Sequence, residues 1–280
     1  MDRSIYYASL EDWPHARALR TRISGRLARE LPLQLRRLRN PAPMVSFTFD
    51  DVPDSALDGA ELIESAGGRG TFYISTALLG LRADHWRVVD ADGLTELHRR
   101  GHEIGLHGHR HLPIGLHSAS SLATDIAQNR SALRAIVPGA LAQNFAYPYG
   151  QLNFARKRQL GKMVKSSRDI RGGVNRGYVD PQLIGAVALA DSRLGVAELE
   201  RCLDEAAAVN GWLVFLTHDV ADRPSPYGVS RRLLSHAIDG ALRRGLRIET
   251  LDAALRHSRI DAPAPIGVFQ YSPPVPLPPS

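Results

Sequence analysis

Two adjacent carboxylates and a pair of histidines are the residues in this 280-residue chain that most clearly indicate chemistry. Asp50 and Asp51 end a short apolar run, and His107 and His111 lie four residues apart in a stretch rich in glycine and histidine. In a helical turn or a compact loop, that spacing brings both imidazoles to one point. Two histidines and one carboxylate form a facial ligand set for a divalent metal, with open positions for water and substrate.

Each of these features also has an ordinary structural explanation. Adjacent aspartates at a strand end commonly cap a turn or a helix, and a histidine-rich stretch can be a solvated loop. Their occurrence at two separate strand ends favours a metal site over both explanations. The spacing is not the HExxH zinc motif, because no glutamate follows His107.

Two more predicted strands end in residues suited to a site. Tyr147-Pro148-Tyr149-Gly150 follows a strand and is either a plain proline-glycine turn or a turn that aims a backbone N–H and aromatic faces at a sugar. The apolar run Val214–Leu216 leads to Thr217 and His218. A lone histidine there is more often structural, but beside a metal and an aspartate it is a natural general acid.

From Met44 onward, short β-branched and aromatic runs alternate with helical patterns, which is typical of βα units. The predicted strands are Val45–Phe49, Thr71–Ile74, Glu103–Leu106, Asn144–Ala146, Met163–Lys165, Ile184–Leu189, Leu213–Leu216 and Arg247–Glu249. The predicted helices cover residues 55–66, 93–100, 119–136, 151–160, 195–209 and 230–243. This count favours a closed or nearly closed βα barrel, in which sites lie at the carboxyl ends of the strands. No glycine-rich phosphate-binding run follows any strand, which counts against nucleotide binding.

The positive charge of the chain is concentrated near its start. Residues 13–39 hold eight arginines and one glutamate, a net charge of +7, whereas the whole chain carries +6, so the remainder sums to −1. The main body therefore lacks the charge expected of a nucleic-acid-binding protein. Leu19, Ile23, Leu27, Leu31 and Leu35 recur every four residues and predict a helix or helix pair that ends or kinks at Pro32.

The basic helix has two interpretations. It packs on the outside of the barrel with its arginines in water, or it rests as an amphipathic helix on an anionic membrane surface. We expect residues 1–43 to form this extension, residues 44–257 the barrel, and residues 258–280 a proline-rich tail of extended conformation. The single Cys202 excludes an internal disulfide. The absence of an apolar leader predicts a cytoplasmic protein, with peripheral contact at the inner membrane face through residues 13–39.

Taken together and in this order, the elements TFDD, HxxxH, YPYG and LTH resemble those of the polysaccharide deacetylase family, also called carbohydrate esterase family 4 or the NodB-homology domain. The resemblance extends from about Met44 to Leu255. It implies an α/β fold, a distorted (β/α)7 barrel. It also implies a metal-dependent hydrolase that removes N-acetyl groups from N-acetylhexosamine units of an oligosaccharide, a polysaccharide or a lipid-linked sugar.

The resemblance also assigns roles to individual residues. It implies that Asp51, His107 and His111 bind a divalent metal, usually zinc and sometimes cobalt or nickel. It implies that Asp50 is the general base and that His218 is the acid that protonates the leaving amine.

Further roles concern the substrate. The resemblance implies that the backbone N–H of Tyr149 faces the oxyanion and that Leu216 lines the acetyl-methyl pocket. Tyr147 and Pro148 belong to the same substrate-facing turn.

The chain departs from the family pattern at three points. Gly108 stands where a serine or threonine usually braces the histidine loop, so the loop is held differently, for example through His109. Ala146 stands where an arginine usually pairs with the catalytic aspartate, and Arg168 or Arg171 is a candidate substitute. The family's aspartate and tryptophan that orient the acid histidine have no clear match. Three carboxylates are candidates for the aspartate: Asp169, Asp180 and Asp191.

Two other functions remain open at this stage. One is a hydrolase of the same fold that acts on a small cyclic amide or ureide, although relatives of that kind often lose part of the metal set. The other is a catalytically silent carbohydrate-binding protein. The complete set of ligand, base and acid residues favours deacetylation over both.

Overall fold

Seven short parallel strands form a distorted barrel in the computed structural model, which describes residues 19–260. The strands are β1 Arg36–Arg37, β2 Met44–Asp50, β3 Thr71–Ile74, β4 Glu103–Leu106, β5 Asn144–Ala146, β6 Ser166–Arg168, β7 Tyr178–Val179, β8 Val187–Ala188, β9 Trp212–Thr217 and β10 Arg247–Ile248. The helices are α1 Leu19–Glu30, α2 Ala56–Ser65, α3 Ala91–Arg99, α4 Ala119–Ile136, α5 Phe154–Leu160, α6 Val196–Ala208, α7 Arg231–Arg243 and α8 Leu251–His257.

The sheet closes on itself through the segment that contains β8. Its strand order is β6-β5-β4-β3-β2-β9-β8, and every pairing is parallel. Ile184, just before β8, forms a parallel bridge with Arg168 in β6, which completes the ring. The short strand β10 pairs with the start of β2. The predicted distorted (β/α)7 barrel is confirmed.

The pleat of the strands separates two layers of buried side chains. Phe47 and Phe49 of β2 pack outward in the large cluster that includes helix residues such as Ile63. Trp212 and Leu216 of β9 pack in a smaller cluster inside the barrel. Because side chains alternate along a strand, Asp50 at the end of β2 lies on the side opposite the two phenylalanines, towards the barrel interior.

Most predicted barrel strands occur where the sequence indicates them, with one clear error. Thr71–Ile74, Glu103–Leu106 and Asn144–Ala146 are strands with the predicted bounds. The predicted strand Met163–Lys165 is wrong, because Met163 and Val164 both donate backbone hydrogen bonds to Leu160 and so finish the turn after α5. The strand follows three residues later, as β6. The predicted strand Ile184–Leu189 is regular only at Val187–Ala188.

The amino-terminal segment forms a helix, but its leucines do not face the barrel. Leu19, Ile23, Leu27, Leu31 and Leu35 are 40–71% exposed, so the helix packs on the outside of the barrel through another face. The buried residues of α1 are Gly25 and Ala28. A Cβ on Gly25 would lie 3.2 Å from the carbonyl oxygen of Leu152, so small residues allow the close approach.

The segment beyond α1 also differs from a continuous helix. α1 ends at Glu30, before Pro32, and the chain then extends into β1, which pairs antiparallel with β7. Residues 1–18 of the predicted extension and residues 261–280 of the predicted proline-rich tail lie outside the described residues. The division into extension, barrel and tail stays a prediction. No helix within residues 19–260 has the length and apolar character to cross a bilayer.

A buried lysine fixes the carboxyl end of α1 to the barrel. The side chain of Lys157 in α5 is wholly buried and lies 2.7 Å from the Asp180 carboxylate. Its ammonium group also donates to the carbonyl oxygens of Ala28 and Leu31. Asp180 accepts a further hydrogen bond from the backbone N–H of Leu33. The charge pair therefore satisfies the carbonyls at a helix end that would otherwise lack partners.

Replacing Lys157 with alanine should lower the free energy of unfolding by about 3–5 kcal/mol, because it leaves the Asp180 carboxylate buried without its cation. Urea denaturation monitored by circular dichroism measures this loss. Lys162→Ala, at an exposed lysine just after α5, is the matched control and should stay within about 0.5 kcal/mol of the parent. Equal stability of both variants would contradict a structural role for the buried pair.

Candidate active site

Asp51, His107 and His111 form a buried cluster at the carboxyl ends of β2 and β4. Their ligand atoms all lie within 4.8 Å of one another. One Asp51 oxygen, Oδ1, is 3.2 Å from His111 Nε2 and 3.7 Å from His107 Nε2. The two imidazoles and the carboxylate thus converge on one point, as the four-residue spacing of the histidines indicates.

Backbone contact and burial fix the protonation of His107. Its Nδ1 lies 2.9 Å from the carbonyl oxygen of Ala146, which is an acceptor only, so Nδ1 carries the proton and donates it. Burial lowers the pKa of His107 to about 4, which keeps the ring neutral near pH 7. Nε2 is therefore the nitrogen that faces Asp51, and it has a lone pair available for a metal.

The chemistry of these donors fits a divalent cation. Asp51 Oδ1 is buried and has no hydrogen-bond partner within residues 19–260, which is an expensive state for a carboxylate oxygen. Burial also raises the pKa of Asp51 above its ordinary value. Two imidazole nitrogens and one carboxylate oxygen are the ligands that zinc and similar metals accept. The residues present therefore fit the expected metal.

Asp50, the neighbour of Asp51, is held by an arginine from another strand. Arg168 at the end of β6 donates from Nη2 to both carboxylate oxygens of Asp50. Burial alone would raise the pKa of Asp50, but the charges of Arg168, His107 and His218 outweigh it and lower that pKa. Arg168 is the residue that contacts Asp50 in place of Ala146, whereas Arg171 is exposed.

The turn after β5 brings one tyrosine to the cluster and turns the other away. Tyr149 has a left-handed backbone, with φ of 57°, and its ring centre lies 4.5 Å from that of His111. Pro148 begins the single 3₁₀ turn that contains Tyr149. Tyr147 does not join the site, because its buried hydroxyl donates to the carbonyl oxygen of Gln182 and burial raises its pKa. The prediction that the Tyr147 side chain faces substrate is wrong.

Strained backbone is concentrated at these strand ends. Asp51, Val52, His111 and Tyr149 all have φ between 47° and 60°, a region that costs energy for residues other than glycine. Val52 is β-branched, for which this conformation is a genuine outlier. Such strain persists only where surrounding contacts impose it, and it is common at functional sites.

His218 lies beside the two aspartates, at the end of β9. β9 pairs with β2 so that Thr217 lies opposite Phe49, which places His218 next to Asp50. Leu216, two residues earlier, is buried in the cluster inside the barrel. All the sequence-predicted site side chains except that of Tyr147 are therefore at the same end of the barrel.

His218 is oriented by a backbone carbonyl and aromatic rings. Its Nδ1 lies 3.3 Å from the carbonyl oxygen of Tyr227, and its ring centre is 5.5 Å from that of Trp86 and 5.8 Å from that of Tyr227.

The prediction that one of three carboxylates orients His218 is wrong, because each of them contacts another group. Asp169 pairs with Arg29, Asp180 pairs with Lys157, and Asp191 accepts a hydrogen bond from the backbone N–H of Ser230.

An aspartate from α4 braces the histidine loop. Gly108 has φ of 76°, and a Cβ there would lie 3.0 Å from an Asp125 oxygen. That carboxylate accepts hydrogen bonds from the backbone N–H groups of His109 and Arg110. The His109 ring makes a second brace, with Nδ1 2.9 Å from the Thr76 hydroxyl. The bond predicted for His109 therefore exists, but Asp125 carries most of the bracing.

An arginine of α1 reaches the loops on either side of the site. Arg29 donates to the Asp169 carboxylate at 2.8 Å and to the carbonyl oxygen of Gly150 at 2.8 Å. Asp169 is the neighbour of Arg168, and Gly150 is the neighbour of Tyr149. The amino-terminal helix thus holds two of the segments that carry site residues.

Sequence reasoning missed three of these residues. Trp86 offered a signal, since an aromatic residue in the polar loop between β3 and α3 is unusual in a surface segment. Arg29 offered none, because nothing separates it from the other arginines of residues 13–39. Asp125 lies within a helical pattern, and its contact with the loop depends on how α4 packs.

Comparisons with known proteins agree with this geometry. Residues 37–163 match the family model described as polysaccharide deacetylase. No curated protein sequence matches the chain. A putative polysaccharide deacetylase from Mycobacterium smegmatis has a similar fold, with a TM-score of 0.58, 13% identity, and coverage of 81% of this chain and 96% of that one.

Two further solved structures share the fold. The chitin deacetylase of the fungal pathogen Colletotrichum lindemuthianum superposes with a TM-score of 0.55 at 16% identity, covering 78% of this chain and 89% of its own. The peptidoglycan deacetylase PdaC of Bacillus subtilis gives 0.52 at 15% identity, covering 79% and 93%. The family match over residues 37–163 and the shared barrel support the resemblance of this chain to the polysaccharide deacetylase family.

Proposed function

We propose that this chain is a metal-dependent hydrolase that removes N-acetyl groups from N-acetylhexosamine units of an oligosaccharide, a polysaccharide or a lipid-linked sugar. The observation that carries the proposal is the position of Asp50, ionised by Arg168, beside the cluster of Asp51, His107 and His111. Amide hydrolysis needs a base next to an electrophilic centre, and this arrangement supplies the base and the ligands for the centre.

Asp51, His107 and His111 would hold the cation, and zinc is expected first, with cobalt or nickel as alternatives. When bound, such a cation polarises a carbonyl oxygen and makes a neighbouring water more acidic. His107 uses Nε2, because Ala146 occupies its Nδ1. That backbone contact also fixes the orientation of the ring.

Asp50 is the general base. It takes one proton from the water that attacks the carbonyl carbon of the acetamide, and the new C–O bond places negative charge on the carbonyl oxygen. Arg168 keeps Asp50 ionised before the attack, because its guanidinium lowers the pKa of the carboxyl group. The backbone N–H of Tyr149 then donates a hydrogen bond to the developing oxyanion.

His218 is the general acid. It gives a proton to the amine nitrogen as the C–N bond breaks, so that acetate and a free amino sugar leave the site. The Tyr227 carbonyl holds Nδ1–H, which directs Nε2 to the leaving group. Leu216 provides the apolar surface for the acetyl methyl group.

The alternatives predict different chemistry. A hydrolase of small cyclic amides would release no acetate from sugar oligomers but would open a cyclic ureide. A silent binding protein would bind sugar oligomers without any hydrolysis. The presence of all five ligand, base and acid residues supports deacetylation, because silencing usually removes one of them.

The direct test is acetate release from N-acetylglucosamine oligomers. The parent protein loaded with zinc or cobalt should release acetate, and chelation should stop release. Asp50→Asn should lower kcat/KM at least about 100-fold, because it removes the general base. Asp92→Asn, an exposed carboxylate in the first turn of α3, is the control and should keep parental activity. Activity that survives in Asp50→Asn would contradict the assigned base.

Metal binding can be tested without activity. The parent protein should bind about one equivalent of zinc in competition with a chromophoric chelator, as a single site of three protein ligands requires. Asp51→Asn and His111→Ala should each weaken that affinity by at least about tenfold, because each removes a ligand atom. His98→Ala, in the last turn of α3, is the matched control. Undiminished affinity in both ligand variants would place the metal elsewhere.

The pH profile tests the partnership of Asp50 and Arg168. Asp50 must be deprotonated to act as base, and Arg168 lowers its pKa. Arg168→Met should therefore raise that pKa and move the acidic limb of kcat/KM to higher pH, by about one unit or more. Arg168→Lys retains the charge and should return the acidic limb of kcat/KM most of the way to its parental pH. If the acidic limb of kcat/KM stays at the parental pH in a folded Arg168→Met protein, Arg168 has a packing role only.

A further inference from the structure

The outer face of α1 and the segment that follows it carry a stripe of apolar side chains in contact with solvent. Five of the eleven large exposed apolar residues within 19–260 lie on this one segment: Leu19, Ile23, Leu27, Leu31 and Leu35. The opposite face of α1 packs on the barrel through Gly25 and Ala28. The leucines are therefore not part of the core.

A cavity lined by basic residues adjoins the stripe. It has a volume of about 430 Å³, and its lining includes Arg36, Arg158, Lys162 and Lys165, with Leu33 on the α1 side. No carboxylate is among the described residues that line it. Lys165 is paired with Asp252 at 2.7 Å, but Arg158 and Lys162 make no ion pair with any residue of 19–260.

The stripe and the cavity belong to one surface. Leu31 and Leu35 of the stripe lie on the same short segment as Leu33 and Arg36 of the cavity. Exposed arginines flank both features: Arg20, Arg22, Arg26, Arg37 and Arg39. An apolar strip bordered by positive charge is the pattern of elements that lie at a bilayer interface, where anionic headgroups meet acyl chains.

We infer that this surface docks the protein on an anionic phospholipid bilayer. The apolar stripe enters the boundary between headgroups and acyl chains, and the basic cavity takes a lipid phosphate. The charge of the surface favours this occupant over a second copy of the chain, because residues 13–39 carry +7 and would repel their own equivalent. The inference is independent of the deacetylase proposal, since none of these residues contacts the candidate substrate site.

Vesicle sedimentation with the full chain tests the inference. The parent protein should sediment with vesicles of phosphatidylcholine and phosphatidylglycerol at least about tenfold more than with phosphatidylcholine alone, and added salt should weaken this binding. Ile23→Asp with Leu27→Asp should weaken binding at least about tenfold, because it removes two apolar contacts. Arg158→Glu with Lys162→Glu should do the same through loss of charge complementarity.

Matched controls separate docking from general surface changes. Leu141→Asp with Leu242→Asp alters two leucines of comparable exposure elsewhere, and Arg201→Glu with Arg232→Glu reverses two exposed charges on α6 and α7. Both pairs should bind vesicles like the parent, and unchanged thermal melting verifies that all variants fold. Parental vesicle binding by the stripe variant, or no binding by the parent at low salt, would overturn the inference. A parental dimer that the stripe variant loses, without vesicle binding, would overturn it in favour of a second copy.

Discussion

Two carboxylates buried side by side at the end of β2 are the constraint on which the candidate site depends. Asp50 and Asp51 are 3% and 6% exposed, and a buried carboxylate is stable only when a cation or several donors compensate it. The pleat and the strained backbone send them in different directions. Asp50 meets the buried guanidinium of Arg168, whereas Asp51 meets His107 and His111. The strands β4 and β6 must therefore place these partners at the same level along the barrel as the two carboxylates.

The amino-terminal helix belongs to this arrangement although it lies outside the barrel. The buried residues of its inner face are small, so α1 lies close enough for Arg29 to reach between the loops after β5 and β6. The carboxylate of Asp169 and the carbonyl of Gly150 are both satisfied by that one side chain. Each of these groups is one residue away from a residue of the candidate site. Packing of α1 is therefore a condition for the geometry of those loops.

The sequence allowed the barrel and the cluster of Asp51, His107 and His111 to be predicted, because both depend on local patterns. Alternating apolar runs located β3, β4 and β5, and the four-residue spacing located the two histidines. What depends on tertiary packing could not be predicted. The choice of Arg168 rather than Arg171 as the partner of Asp50 depends on β6, which lies three residues beyond the predicted strand. The orientation of α1 follows from Gly25 and Ala28 rather than from its leucines. Trp86 reaches His218 through the course of a long loop.

At Ala146, the contact with His107 and the contact with Asp50, which one residue could make, are divided between two residues. The carbonyl oxygen of Ala146 holds His107 through the main chain, and this contact is indifferent to the side chain at that position. The positive charge that contacts Asp50 is instead on the side chain of Arg168, in the adjoining strand. A contact made by the main chain depends on the position of that residue in the polypeptide. A contact made by a side chain can instead be supplied by any neighbouring residue whose side chain reaches the same point. A motif comparison made position by position would therefore find no cation at Ala146, although the guanidinium that contacts Asp50 is present on the adjoining strand.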